Sequence, residues 1–186
     1  MDRDNGIEML SVSKIKMYLR CPLQYYFRYC EGIKMLPDGG LTVGKAVHAG
    51  LEANFVQKIQ SFSDLPLSDI LDHYSTAFET YVQEGIDFGE DKPGELKDLG
   101  AGLLSVYYKE IAPIIQPVSV EEHFVLEFDN LPLAFQGYID IIDIEGNIRD
   151  SKTSKRSYAV NAAEYDLQLT GYNLAYKYLK GKEPKS

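Results

Sequence analysis

Apolar residues along this chain change their period twice. From residue 44 to about 113 they recur at three- and four-residue spacing, from 118 to about 155 they alternate or cluster in short runs, and from 162 to 180 the helical spacing returns. Residues 1–10 show neither period and are expected to be a loose start. Ser11 or Ser13 can then cap a helix carrying Ile15, Tyr18 and Leu19, which Pro22 breaks or restarts. Glycine and proline make residues 31–43 a predicted loop, and Gly44 opens a helix with Val47, Leu51 and Phe55 on its buried stripe. A second helix, capped by Ser68, carries Ile70, Leu71, Tyr74, Phe78, Tyr81 and Val82. A third carries Leu96, Leu99, Leu103, Leu104, Tyr107 and Ile111 and ends near Pro113, and together these two form a helical lid or wall. Residues 118–128 read as a strand, Asp129-Asn130 as its turn, and 131–144 as the antiparallel return. A polar segment after Lys155 leads to a last helix over 162–180.

The densest chemistry lies in residues 137–155, G-Y-I-D-I-I-D-I-E-G-N-I-R-D-S-K-T-S-K, two isoleucine-rich strands joined at Glu145-Gly146-Asn147. Acids inside such strands cost energy unless paired, and a bound cation is one possible partner. A two-residue loop at Gly146-Asn147 would put Asp150 and Lys152 on the face of Ile139, Ile141 and Asp143. A three-residue loop puts Asp140 opposite Lys152 and Ile142 opposite Asp150, so that Asp140, Asp150 and Lys152 converge. Glycine-containing three-residue hairpins are common, and this register is the one expected. Two carboxylates and a lysine on one wall suit phosphodiester hydrolysis with Mg²⁺ or Mn²⁺, the ammonium orienting water or meeting charge on phosphate. A salt-bridged hairpin edge is the competing reading. Acid-x-Lys occurs four times in the chain, and only Asp150-Ser151-Lys152 follows a strand bearing its own acid.

Composition narrows the class. With 186 residues, 45% hydrophobic and 25% charged, the chain is an ordinary globule with room for one core. It has no apolar run of membrane-spanning length and no signal-peptide pattern, so a cytoplasmic protein is expected. A net charge of −9 argues against bulk electrostatic attraction to nucleic acid, yet is compatible with acids gathered around cations. Cys21 and Cys30 are too few for a disulfide framework or a four-cysteine metal site. The aromatic stretch C-P-L-Q-Y-Y-F-R-Y-C, with Arg20 and Arg28, can stack bases and hold phosphates or can pack as core. Taken alone, His48 reads as a surface or packed histidine. Glu121 or Glu122 could add a carboxylate, although a solvated strand end explains them as well.

In order, S-x-x-x-x-Y-x-x-C-P-x-x-Y-x-F-x-Y, G-K-A-V-H at 44–48, G-Y-I-D at 137–140, D-S-K-T-S at 150–154 and Q-L-T-G-Y at 168–172 resemble the RecB-type branch of the PD-(D/E)XK nuclease superfamily, close to the CRISPR-associated exonucleases. The resemblance covers nearly the whole chain. It implies one nuclease domain over 1–186, mainly helical over 44–115, with a strand-strand-strand-helix core over 118–180. The implied fold is α/β: a restriction-endonuclease-like mixed sheet led by an antiparallel hairpin, flanked by helices, with an N-terminal helical wall. It implies metal ligands at His48, Asp140, Asp150 and the backbone carbonyl of Ser151, a catalytic Lys152, and Gln168 and Tyr172 lining the site. It further implies Mg²⁺ or Mn²⁺ as cofactor, DNA as partner, a helicase or recombination partner, and exonuclease activity in recombination, repair or phage DNA processing. The alternatives are a non-cutting DNA-binding or scaffolding subunit and a structure-specific endonuclease. Cys21 matches the first cysteine of the cluster motif many relatives carry, but no cysteine follows Cys30, so no iron-sulfur cluster is expected. Ser151 stands where relatives often have a larger residue, and the chain ends where they usually continue with a strand.

Overall fold

The computed structural model describes residues 3–4, 7–154 and 162–185. The polar segment expected after Lys155 lies outside these. Five strands, β1 (Arg3–Asp4), β2 (Ile7–Leu10), β3 (Pro117–Leu126), β4 (Ala134–Asp143) and β5 (Ile148–Arg149), combine with α1 (Val12–Arg20), α2 (Pro22–Tyr25), α3 (Gly39–Ser61), α4 (Leu67–Glu84), α5 (Pro93–Glu110) and α6 (Leu167–Lys180). The result is a mixed sheet flanked by helices, consistent with a restriction-endonuclease-like fold. No described helix is long and apolar enough to cross a membrane.

Strand β4 is the centre of the sheet. β3 runs antiparallel along one edge, from Pro117 opposite Asp143 to Leu126 opposite Phe135. The other edge takes β2 in parallel at Ala134 and Phe135, and β5 antiparallel at Ile141 and Ile142. Asp140 lies between the stretches of β4 that these two short partners cover. The residues expected to be a loose start therefore include a strand, because Met9 gains a buried place beside Ala134.

Two hydrophobic clusters meet the sheet. In one, Val47, Leu51 and Phe55 of α3 pack with Ile70, Tyr74 and Phe78 of α4, Leu96 and Leu104 of α5, and Ile115 and Ile141. In the other, Tyr172, Ala175 and Tyr176 of α6 pack with Phe124, Leu126, Ile139 and Ile142. Burial of this apolar area is the main stabilising term.

Several boundaries differ from the sequence reading. α3 begins at Gly39, not Gly44, because the Asp38 carboxylate caps it by accepting from the Leu41 amide at 2.7 Å. Gly39 leaves room for Leu96 there, since a Cβ would lie 2.4 Å from Leu96 Cδ1 and that side chain would have to shift. α4 starts after Pro66 rather than after a Ser68 cap. α5 buries Leu96, Gly100 and Leu104 and leaves Leu99 and Leu103 exposed, since Gly100 is the position that admits Tyr74. The last helix divides into a 3₁₀ turn, Ala162–Tyr165, and α6, with Asp166 capping the second piece through the Gln168 amide.

The central hairpin also has a different register. Ile142 pairs with Ile148 and Ile141 with Arg149, so Asp140 comes into line with Asp150 rather than Lys152. Asp143 is the reason. Its carboxylate accepts from the backbone amides of Glu145 and Asn147, from the Asn147 side chain and from Arg149, stabilising a longer turn in which Gly146 takes φ 85°. The shift is by two residues. Strand periodicity therefore keeps Asp140, Asp150 and Lys152 on the intended face.

Candidate active site

Asp140 is placed by β4 and is 7% exposed. Such burial of a carboxylate needs partners, and three groups among the described residues donate to it. His48 Nε2, from α3, donates to Oδ2 at 2.7 Å; the Ser151 amide donates to the same oxygen at 3.3 Å; Tyr172 Oη, from α6, donates to Oδ1 at 3.2 Å. His48 presents its other nitrogen, Nδ1, 3.4 Å from Glu121 Oε1. Glu121 lies between Val120, opposite Ile141, and Glu122, opposite Ile139, which puts it in line with Asp140 across the ladder. Its backbone has φ 50°, a left-handed conformation that a glutamate in a strand seldom adopts.

The second half of the site is built on Asp150. Lys152 Nζ lies 2.6 Å from Asp150 Oδ2 and donates to Gln168 Oε1 at 2.9 Å. Gln168 Nε2 donates to Asp150 Oδ1 at 3.3 Å and to Tyr172 Oη at 2.6 Å. The side-chain amide of Gln168 thus links Lys152, Asp150 and Tyr172, and Tyr172 closes the network onto Asp140. Tyr107, from α5, bonds the Ser151 hydroxyl at 3.0 Å and fixes the residue whose amide supports Asp140. Gly44 belongs to the same construction. A Cβ there would come within 2.8 Å of Thr153 Oγ1, so its absence lets α3 approach the segment after β5.

The charges are strongly coupled. Hydrogen bonding to Asp140 raises the His48 pKa against the effect of its own burial. Burial pushes Asp140 up, but the hydrogen bond and charge of His48 outweigh it and hold the group below the usual carboxylate range. Burial and the neighbouring Asp140 charge raise Asp150 despite Lys152 beside it. Glu121 is raised by burial and by Asp140. Burial, followed by the Asp140 charge, pushes Tyr172 far up, keeping it a neutral donor. Mutually repelling acids held together in this way store a demand for positive charge.

These groups line an open cleft of about 970 Å³ between α3 and the segment leading to α6. Its described walls carry six carboxylates, from Asp38, Glu52, Asp91, Glu121, Asp140 and Asp150, against the two ammonium groups of Lys45 and Lys152. Residues 9–186 match the family model of the PD-(D/E)XK nuclease superfamily. The chain belongs to the PD-(D/E)XK nuclease superfamily. No curated protein and no solved structure matches the chain.

As a member of this superfamily the protein is a nuclease of a class that uses divalent metals. The donor set fits such an ion. His48, Glu121 and Asp140 each offer a ligand atom, and these atoms lie within 4.8 Å of one another. Two hard carboxylates and an imidazole beside an open cleft suit a divalent cation.

Of the residues singled out in the sequence, His48, Asp140, Asp150, Ser151, Lys152, Gln168 and Tyr172 come together in one network. Asp150 sits on the Lys152 side of it, and Ser151 enters through its amide and hydroxyl. Arg20 and Arg28 are exposed on α1 and on the π-helical turn Tyr26–Cys30, and are not among the described residues lining the cleft. Glu121 is the main residue the sequence reading undervalued. Adjacent Glu121 and Glu122 gave no signal of which one turns inward, since that depends on the backbone reversal at φ 50°. The spacing of Tyr107 signals only packing, because its ring belongs to the α5 apolar stripe while its hydroxyl partner, Ser151, comes from a segment 44 residues away.

Proposed function

We propose that the protein is a divalent-cation-dependent deoxyribonuclease of the RecB-type, CRISPR-associated-exonuclease-like branch, an exonuclease acting in recombination, repair or phage DNA processing. The observation carrying this reading is the joining of G-Y-I-D and D-S-K through one network. Asp140 is held by His48, Ser151 and Tyr172, while Lys152 stands beside Asp150 on the same cleft wall.

His48, Glu121, Asp140 and Asp150 are the residues that would hold the cation, which when bound supplies charge neutralisation at the phosphate and a more acidic water. The reaction adds water across a P–O bond: a water oxygen bonds to phosphorus, one bridging oxygen leaves, and the two protons of water end on the phosphate product and the released hydroxyl. Lys152 offers its ammonium to the charge that grows on phosphate oxygens in the transition state. Gln168 and Asp150 fix that ammonium, limiting the rotamers it must search. Tyr172 ties down Oδ1 of Asp140 and so orients Oδ2 toward His48. The acid-rich cleft also makes binding conditional, since six carboxylates repel a polyanion until cations offset them.

End-labelled single- and double-stranded DNA incubated with Mn²⁺ or with EDTA, beside Lys152→Ala, tests the proposal. Degradation that needs Mn²⁺ and is lost in the variant supports it; a protein inert in every arm overturns it. A closed circular substrate separates the modes, because an obligate exonuclease leaves it intact.

A further inference from the structure

The N-terminal helical segment contributes no buried residue. α1, α2 and the π-helical turn Tyr26–Cys30 contain none, and Tyr18, Tyr26 and Phe27 are 53%, 47% and 45% exposed, which overturns the reading of this aromatic stretch as core. Exposing three large rings to solvent on one short segment is costly, and apolar surface left open in this way marks an interaction site. The rings are organised. Tyr18 meets Tyr25 edge-on at 5.5 Å, Tyr25 meets Tyr29 at 4.9 Å, and Tyr26 meets Phe27 at 6.0 Å. The turn carrying Tyr26 and Phe27 closes with an i to i+5 bond from the Glu31 amide to Tyr26 O at 3.0 Å, a backbone form frequent at functional sites.

Charge selects the occupant. Residues 12–34 hold five basic side chains and one acid, a net +4 in a chain whose total is −9. Arg20 and Arg28 flank the rings, and both are exposed. The segment is also tied to the cleft: Lys16 pairs with Asp166 at 3.1 Å, and Asp166 caps the helix that carries Gln168 into the site.

We propose that this surface is a track for single-stranded nucleic acid, in which bases stack on Tyr18, Tyr26 and Phe27 and phosphates meet Arg20 and Arg28. A duplex hides the faces of its bases and would engage only the charge, whereas an unpaired strand uses both features. The inference rests on the nuclease reading and names the substrate form that reading leaves open.

Binding of labelled oligothymidylate and of a duplex of equal length is measured by fluorescence anisotropy in EDTA, where the acid-lined cleft lacks cations and the track is the remaining attractive surface. The full chain should prefer the single strand. Tyr26→Ala with Phe27→Ala should weaken it about tenfold or more, and Arg20→Ala with Arg28→Ala should flatten its salt dependence by about one to two in log–log slope. Melting curves confirm that both variants are folded. Photo-crosslinking of an iododeoxyuridine strand to wild type should map to residues 18–29, a readout independent of any substitution. Unchanged oligothymidylate affinity in the aromatic variant, crosslinks only elsewhere, or loss of self-association on sizing in place of loss of DNA binding overturns the track. Failure of DNA cleavage with Mn²⁺ while the track still binds would instead overturn the nuclease reading alone.

Discussion

Glu121 shows how a single residue can trade stability for chemistry. A non-glycine residue held at positive φ costs about 1–3 kcal/mol and persists only when its surroundings gain from it. Here the gain is a carboxylate placed 3.4 Å from His48 Nδ1 and in line with Asp140. Glu121→Gly should therefore raise the melting temperature of the cation-free protein, by about 1 kcal/mol of stability, while calorimetry shows Mn²⁺ affinity falling about tenfold. Glu121→Gln should lower the affinity without the stabilisation. A glycine variant that is neither more stable nor weaker in Mn²⁺ binding would remove the strain from the account. Tyr172 carries a second expectation. Tyr172→Phe deletes the donor to Asp140 Oδ1 and the acceptor for Gln168. The variant should cost about 1–2 kcal/mol in urea unfolding and lower kcat rather than raise KM, because its target is the orientation of Asp140. At this scale the convergence of Asp140, Asp150 and Lys152 was legible from strand parity together with the preference for a glycine-containing three-residue loop. Glu121 was not, because parity is the property a left-handed residue breaks.

Among the elements, the β4–β5 hairpin shows where local pattern stops being sufficient. Isoleucine alternation located both strands, but the turn between them is specified by Asp143, a side chain that reads like another candidate ligand until its bonds to Glu145, Asn147 and Arg149 are seen. Burial alone would raise the Asp143 pKa, yet the Asn147 and Arg149 bonds hold it below the ordinary value. A depressed folded-state pKa contributes stability that is present above the unfolded value near 3.9 and is lost as pH falls through the folded value. Wild type should therefore lose melting temperature below about pH 4. Asp143→Asn should start about 2 kcal/mol lower at neutral pH and lose less on acidification. The end of α3 holds a second device that pattern did not reveal. Lys58 is 3% exposed and donates to both oxygens of Asp64 and to Ala112 O, joining α3, the loop before α4 and the approach to β3. Removing one member of a buried pair strands the other. Lys58→Ala should cost about 3–5 kcal/mol in urea unfolding, far more than substitution of the exposed Lys92.

Across the whole molecule, the site joins parts that the two hydrophobic clusters hold separately. His48 comes from the α3 cluster, Tyr172 from the α6 cluster, and Asp140 from the strand both clusters touch. The fold should stand without a cation, because each cluster buries its own apolar side chains and Asp140 already has hydrogen-bond partners. EDTA should leave the melting transition cooperative, unlike that of a small metal-folded domain. An added cation should bind only the assembled site and raise stability by mass action, about 2.7 kcal/mol at one hundred times Kd. For a chain of this size that is a shift of roughly 5–11 °C. Asp140→Asn should abolish most of the shift, since its carboxylate is where both halves meet. A similar Mn²⁺ shift in that variant would place the cation elsewhere on this acidic surface and would detach the metal from the network of Asp140, His48 and Lys152.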